Sequence, residues 1–93
     1  MDIKQVEKGS KGRFFYEVVG QQKAFMTYNY DGKDKMIINH TEVDPSLKGQ
    51  GIGYKLVEAA VMFARENQIK ILPLCSYVAA VFKKKSDYND VLF

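Results

Sequence analysis

Three glycines at alternate positions, Gly49, Gly51 and Gly53, follow a stretch ended by Pro45 and precede a run with helical spacing. With no side chains in the way, the backbone N–H groups of Lys48, Gly49, Gln50, Gly51, Ile52 and Gly53 can close around a phosphate at the positive end of a helix. A tight turn into a helix needs fewer glycines than this, so anion binding is the better reading. Three further side chains could do chemistry: Cys75 and His40, the single cysteine and histidine, and Glu42. Cys75 directly precedes Ser76, which reads as a helix N-cap, and helix N–H dipoles favour a thiolate there. Against that, a free cysteine at a buried strand end is as readily a small hydrophobe, and a lone strand histidine as readily structural. His40 is a candidate base for the Cys75 thiol if their strands are neighbours, and Glu42 is a competing base for direct transfer to an amine. An exposed carboxylate at a strand end, however, is most simply a solvated charge.

Positioning these groups requires a strand before the loop and a helix after it. Lys35 to Val43 alternates with a period of two, which puts Ile37, Asn39, Thr41 and Val43 on one face and Met36, Ile38, His40 and Glu42 on the other. Asp44-Pro45-Ser46 ends that strand. Ile52 to Asn67 then carries Ile52, Leu56, Ala60, Phe63 and Ala64 on one stripe, the spacing of an amphipathic helix. Lys70 to Cys75 reads as a short buried strand, and the intervening helix makes it parallel to the preceding one. Pro73 removes a ladder donor, as at an edge, at a bulge or where strands diverge. A second helix is expected from Tyr77 to about Lys85.

Upstream, Asp2 to Glu7 is a short extended stretch and Lys8 to Gly12 a turn. Arg13 to Val19 and Lys23 to Tyr30 alternate as strands, with a turn at Gly20-Gln21-Gln22 between them and another at Asp31-Gly32. The tail from Ser86 opens with turn residues and ends in Val91-Leu92-Phe93, which could dock as a short strand.

At 93 residues the chain supports one domain, residues 1–93, with one core, expected to fold alone as a monomer. One cysteine and one histidine are too few for a structural metal site, so no metal is expected. No run approaches the ~20 apolar residues of a membrane span, and the N-terminus lacks a signal-peptide core, so the expected location is cytoplasmic. The net charge of +3, partly in Lys83-Lys84-Lys85, suits an anionic ligand. It is modest for a nucleic-acid binder, whose aromatics would not alternate as core residues do here.

From Lys35 to about Lys85 the chain resembles the GNAT (Gcn5-related) N-acetyltransferase superfamily. Lys48-Gly49-Gln50-Gly51-Ile52-Gly53 is similar to its Q/R-x-x-G-x-G/A signature, here in the family's order of strand, loop, helix, strand and helix. The opening His40-Thr41-Glu42-Val43 before Pro45, and the run from Pro73 through Cys75-Ser76-Tyr77 to Phe82-Lys83, look like a minimal, short branch. The resemblance implies an α/β (α+β) truncated GNAT-like fold: a mixed sheet with an antiparallel N-terminal meander, two parallel C-terminal strands and two main helices. It implies acetyl-CoA as cofactor, with the pyrophosphate on the N–H groups of Lys48 to Gly53. The strand edge at Glu42 and Val43 would meet the pantetheine amides, Tyr54 and Lys55 a phosphate, and Lys83 or Lys84 the nucleotide. The implied activity is acetyl transfer to an amine, peptide or protein acceptor, directly or through Cys75.

Two departures stand out. Family members of ordinary length carry two helices after the first strand, where this chain has only Lys8 to Gly12. The family's proton-donating tyrosine on the later helix is matched by Phe82, which cannot donate; Tyr77 and Tyr88 are the nearest substitutes. Both departures motivate the alternative of a non-catalytic acetyl-CoA-binding module or sensor.

Overall fold

The computed structural model describes residues 2–93. Five strands form one sheet in sequence order: β1 (Lys4–Lys8), β2 (Lys11–Val18), β3 (Gln21–Tyr30), β4 (Lys35–Val43) and β5 (Lys70–Pro73). The first four make an antiparallel meander and β4 pairs with β5 in parallel, as the expected mixed sheet requires. Helix α1 (Ile52–Asn67) crosses from β4 to β5, and α2 (Ser76–Lys84) follows β5. Short 3-10 segments lie at Pro45–Leu47 and Ser86–Val91.

The alternation of β3 is realised as read: Ala24, Met26 and Tyr28 are buried, together with Met36 and Ile38 of β4. The buried stripe of α1 is Ile52, Gly53, Leu56, Val57, Ala60, Val61 and Ala64, while Phe63 sits at its margin against Phe14. Val78, Val81 and Phe82 of α2 join the same cluster, so both helices cover one face of the sheet. Among the described residues no helix covers the other face, and β1 joins β2 through only the two-residue turn Gly9-Ser10. The absence of two helices after the first strand is thus borne out.

At the far end of β1, Glu7 accepts hydrogen bonds from the hydroxyls of both Tyr28 and Tyr30, and Tyr28 also accepts from the Gln5 amide at 2.7 Å. Burial, then the bonding to Glu7, pushes both phenols well above their ordinary pKa, so they stay protonated donors and fasten the edge strand to the core. The C-terminal residues dock on the free edge of β5. Leu92 bridges Ile71 in parallel and the Phe93 N–H donates to the Ile71 carbonyl at 2.9 Å.

Two local expectations are corrected. The β2–β3 turn is Val19-Gly20, with φ of 50° and 75°, while Gln21 and Gln22 already belong to β3. A β-branched residue in the left-handed region is strained, and Val19, 97% exposed, gains nothing from packing in return. Val19→Asn, which accepts that conformation, is expected to stabilise the fold by about 1 kcal/mol, seen as a higher melting temperature. An unchanged or lower temperature would contradict the strain. In addition, Ser76 is not the cap of α2 but its first residue; the N-cap is Cys75.

Candidate functional site

The period of two in β4 does not persist along its length. Thr27 pairs with His40 but Tyr28 pairs with Ile38, so Asn39 is an extra, bulged residue. One added residue exchanges the two faces beyond it. Thr41 and Val43, opposite Met26 and Ala24, therefore share the helix-covered face with Met36 and Ile38, whereas His40 and Glu42 point to the open face. The reading that grouped His40 and Glu42 with Met36 and Ile38 is corrected by this bulge.

The bulge also decides which site residues meet. Glu42 Oε2 lies 2.8 Å from His40 Nε2, as same-face neighbours should, and the His40 ring packs near Phe25. Cys75 does not meet His40. Its Sγ lies 3.5 Å from the Thr41 hydroxyl, on the helix side of the sheet. Burial pushes the Cys75 thiol up, but the N–H of Val78, the Thr41 hydroxyl and the N–H groups of Tyr77 and Thr41 outweigh it, leaving the thiol below its ordinary pKa. Thr41→Val removes one of those partners. The midpoint pH of iodoacetamide labelling at Cys75 is expected to rise in that variant, and an unmoved midpoint would rule Thr41 out as a stabiliser of the thiolate.

β4 and β5 stay paired only as far as Ile38 and Pro73. The N–H groups of Leu74 and Cys75 then both donate to the Ile38 carbonyl, at 3.0 and 3.2 Å, and the chain turns into α2. Strand divergence at Pro73 is borne out, and the β4 edge beyond Ile38 has no strand beside it. A cleft of about 430 Å³ opens there. Thr41 and Val43 line it from β4, Leu47, Lys48, Gly49 and Gly51 from the loop, Ile52 to Tyr54 from α1, and Tyr77 from α2.

The loop is held by its own turns. Asp44 caps the 3-10 segment by accepting from the Ser46 N–H at 2.9 Å, and the N–H groups of Lys48 and Gln50 donate to the carbonyls of Pro45 and Leu47. Those two donors are thereby occupied, and Gln50 does not line the cleft. The N–H groups of Gly49, Gly51, Ile52, Gly53 and Tyr54 have no protein acceptor among the described residues. All five belong to cleft-lining residues. Gly49 and Gly51 hold φ of 83° and 72°, a conformation that glycine adopts without strain. A Cβ at Gly53 would meet the hydroxyl end of the Tyr77 side chain, with a ring carbon 2.7 Å away, so a larger residue there would displace that phenol from the cleft. No acidic residue occupies the first turn of α1, so no carboxylate on the helix itself offsets that positive end.

A second cleft, of about 370 Å³, adjoins the first through Tyr54, which lines both. Its other walls are Lys55, Glu58, Lys84, Lys85 and Tyr88. Of the two lysines expected near a nucleotide, Lys84 lines the second cleft and Lys83 lines neither; Lys85 is a further neighbour that sequence reasoning missed. Phe82 is buried against Tyr88, with ring centroids 6.1 Å apart, and serves the core. Of the two substitute tyrosines, Tyr77 reaches the first cleft and Tyr88 the second; burial holds the Tyr77 phenol above its ordinary pKa. The sheet's open side carries a separate hollow of about 590 Å³, whose lining includes Lys8, Lys11, Arg13 and Asn39. Among the described residues no cluster of ligating side chains could hold a metal, and no helix is long and apolar enough to cross a membrane.

A glycine loop opening a helix where two parallel strands part is the architecture of the GCN5-related N-acetyltransferases. The chain belongs to that family, whose model matches residues 13–91. It is 34% identical over 62 residues to Protein NATD1 of Xenopus tropicalis, covering 67% of this chain and 57% of that protein. The match to Protein NATD1 of Gallus gallus is 33% over 82 residues, covering 86% of this chain and 74% of that one. A GCN5-like protein from Staphylococcus aureus, solved by NMR, superposes with a TM-score of 0.73 at 34% identity, over 99% of this chain and 87% of that chain. A GNAT family acetyltransferase from Elizabethkingia anophelis, solved with acetyl-CoA bound, shares the fold at 15% identity, with a TM-score of 0.64 over 83% of this chain and 53% of that one. At the level of the family the chain is of N-acetyltransferase type.

Proposed function

We propose that this protein binds acetyl-CoA in the first cleft and transfers its acetyl group to an amine. The observation that carries the reading is the set of N–H groups at Gly49, Gly51, Ile52, Gly53 and Tyr54 without a protein acceptor, at a helix end bearing no compensating acid. A pyrophosphate satisfies such donors and is favoured there by the helix dipole. Lys48, beside the loop, adds a positive charge, and Lys83 contributes to the field from the end of α2. Once the phosphates are fixed, the pantetheine arm runs along the unpaired edge of β4, where the backbone groups of Val43 bond its amides; Glu42, expected beside it, does not line the cleft. The thioester then lies towards Thr41 and Cys75.

In this reading Cys75 is the first acceptor. Its thiolate attacks the acetyl carbonyl, a sulfur–carbon bond forms to Cys75, and the bond to CoA breaks. CoA leaves as a thiolate and takes up the proton that Cys75 released; Tyr77 is the phenol placed to relay it. Exchange of one thioester for another costs little, so the step is reversible. The amine then reaches the Cys75 thioester past the unpaired edge of β4 from the open side of the sheet; the amide bond forms, the bond to Cys75 breaks, and the Cys75 thiolate that leaves takes up the amine's proton. Lys8, Lys11 and Arg13 on that side would repel a polyamine, which favours an amine carried by an acidic peptide or protein.

The second reading, a CoA-binding module without transfer, is favoured by the two-residue β1–β2 turn and the buried Phe82. An acetylation screen with acetyl-CoA over acidic peptides, neutral peptides and polyamines separates them. Product from the acidic peptides supports the transferase, and no product at acetyl-CoA concentrations that saturate the protein supports the module.

A further inference from the structure

The hollow on the open side of the sheet is larger than either cleft and lies across the sheet from the phosphate loop. Two of the residues lining it, Lys8 and Lys11, stand directly opposite each other in the β1–β2 ladder, and Arg13 follows two residues along β2 on the same face. Like charges placed opposite one another cost stability. Among the described residues no carboxylate on this face is free to offset them: Glu17 pairs with Lys4 at 2.9 Å and Glu42 with His40 at 2.8 Å. Glu7, which also lines the hollow, is engaged by the hydroxyls of Tyr28 and Tyr30. Arg13 is held in place without an acid, its guanidinium 4.3 Å above the Phe25 ring and donating to Gln22 at 2.7 Å.

The bulge adds a second feature. Asn39 donates to the Asn29 side-chain carbonyl at 2.9 Å, and both line the hollow. That bond leaves Asn29 an N–H group to donate and Asn39 a carbonyl to accept. A donor beside an acceptor suits the N–H and C=O groups of a peptide, whereas a simple anion only accepts. The ladder then leads from the hollow towards the thioester: Arg13 pairs with Thr27 and Thr27 with His40, one row across three strands. With strands ~4.8 Å apart, Lys11, two residues off that row, lies about 12 Å from β4. About four residues of extended peptide span that distance.

We propose that this hollow docks a run of acidic side chains in the acceptor, about four residues from the amine that is acetylated, so that the acids select which amine reaches Cys75. The proposal rests on the transfer reading and adds the sequence pattern of its acceptor.

The test uses the full chain, acetyl-CoA and three peptides of about a dozen residues that begin with lysine, so that α- and ε-amines sit together at one end. The first carries a run of glutamates about four residues from that lysine. The second carries the same run at its far end, and the third has glutamines in place of the glutamates. The wild type is expected to acetylate the first with about tenfold higher kcat/KM than either of the others, mostly through KM, as a few exposed charge pairs would give. That advantage should shrink in high salt. Lys8→Glu/Lys11→Glu, two exposed changes flanking a turn, inverts the sign of the pair. This variant is expected to prefer the glutamine peptide while titrating with CoA as the wild type does. Equal rates for the three peptides would overturn the proposal and leave transfer standing. So would a preference for the first peptide that survives the charge reversal, since its acids would then be read elsewhere. If no peptide is acetylated, backbone amide shifts decide. Shifts at Lys11, Arg13 and Asn29 on adding the first peptide would retain the docking site and remove transfer, and their absence would remove both.

Discussion

Gly51→Asp is expected to lose CoA affinity by on the order of 100-fold while the fold keeps its stability to within about 1 kcal/mol. The two effects come from one position. A Cβ at Gly51 meets no atom within 4 Å, so space is not the obstacle. Its φ of 72° is strained for most residues but tolerated by aspartate. A carboxylate at the start of α1 gains from the helix dipole, which offsets that strain. The same carboxylate would stand where the pyrophosphate binds, and two like charges ~5 Å apart at a protein surface repel by ~3 kcal/mol. Thermal melts and CoA titration of the same sample therefore give opposite answers. A large drop in melting temperature would mean that the loop is needed for folding, and retained CoA affinity would mean that phosphate sits elsewhere.

Cys75→Ala is expected to abolish an acetyl adduct that forms when the wild-type protein is incubated with acetyl-CoA and weighed by mass spectrometry. The thiol is the one cysteine in the chain, lies where β4 and β5 have parted, and is held below its ordinary pKa by Thr41 and the first N–H groups of α2. A lowered pKa sets the window: the adduct should form at pH values below those needed for an ordinary thiol and fade as the thiolate is protonated. Loss of the side chain leaves little packing behind, because Cys75 is only partly buried at the margin of the core. An adduct that persists in Cys75→Ala would assign the acetyl group to a lysine. An unmodified wild type would leave direct transfer, with Glu42 and His40 as the base, as the route.

The sequence carried the scaffold further than the chemistry. β4 and α1 are bounded where the alternation, Pro45 and the helical stripe put them, because those signals are local and agree with one another. The parallel pairing of β4 and β5 followed from a helix between two short apolar strands. The bulge at Asn39 was hidden because an extra residue leaves the period of two intact on either side. One trace of it exists: three consecutive apolar residues, Met36-Ile37-Ile38, are followed by four consecutive polar ones, Asn39-His40-Thr41-Glu42, so polarity does not alternate there. That single residue turned His40 away from Cys75 and brought Thr41 to it, so the pairing of site residues could not be read without the register. The cap of α2 moved by one position for a related reason. Both Cys75 and Ser76 could precede the helix, and the departure of the chain after Pro73 decided between them. Helical phase likewise put Lys84 rather than Lys83 in the second cleft, which Lys85, just past the end of α2, also lines.

The measurement that bears most directly on acetyl-CoA binding is a titration of the isotope-labelled protein with CoA, followed at each backbone amide. Donors that acquire a phosphate acceptor shift most, so Gly49, Gly51, Ile52, Gly53 and Tyr54 are expected to move first and furthest. Lys48 and Gln50, already bonded to Pro45 and Leu47, should move less. Shifts confined to the open sheet face around Lys8, Lys11 and Arg13, or no shift in the loop at saturating CoA, would contradict a phosphate site at the start of α1.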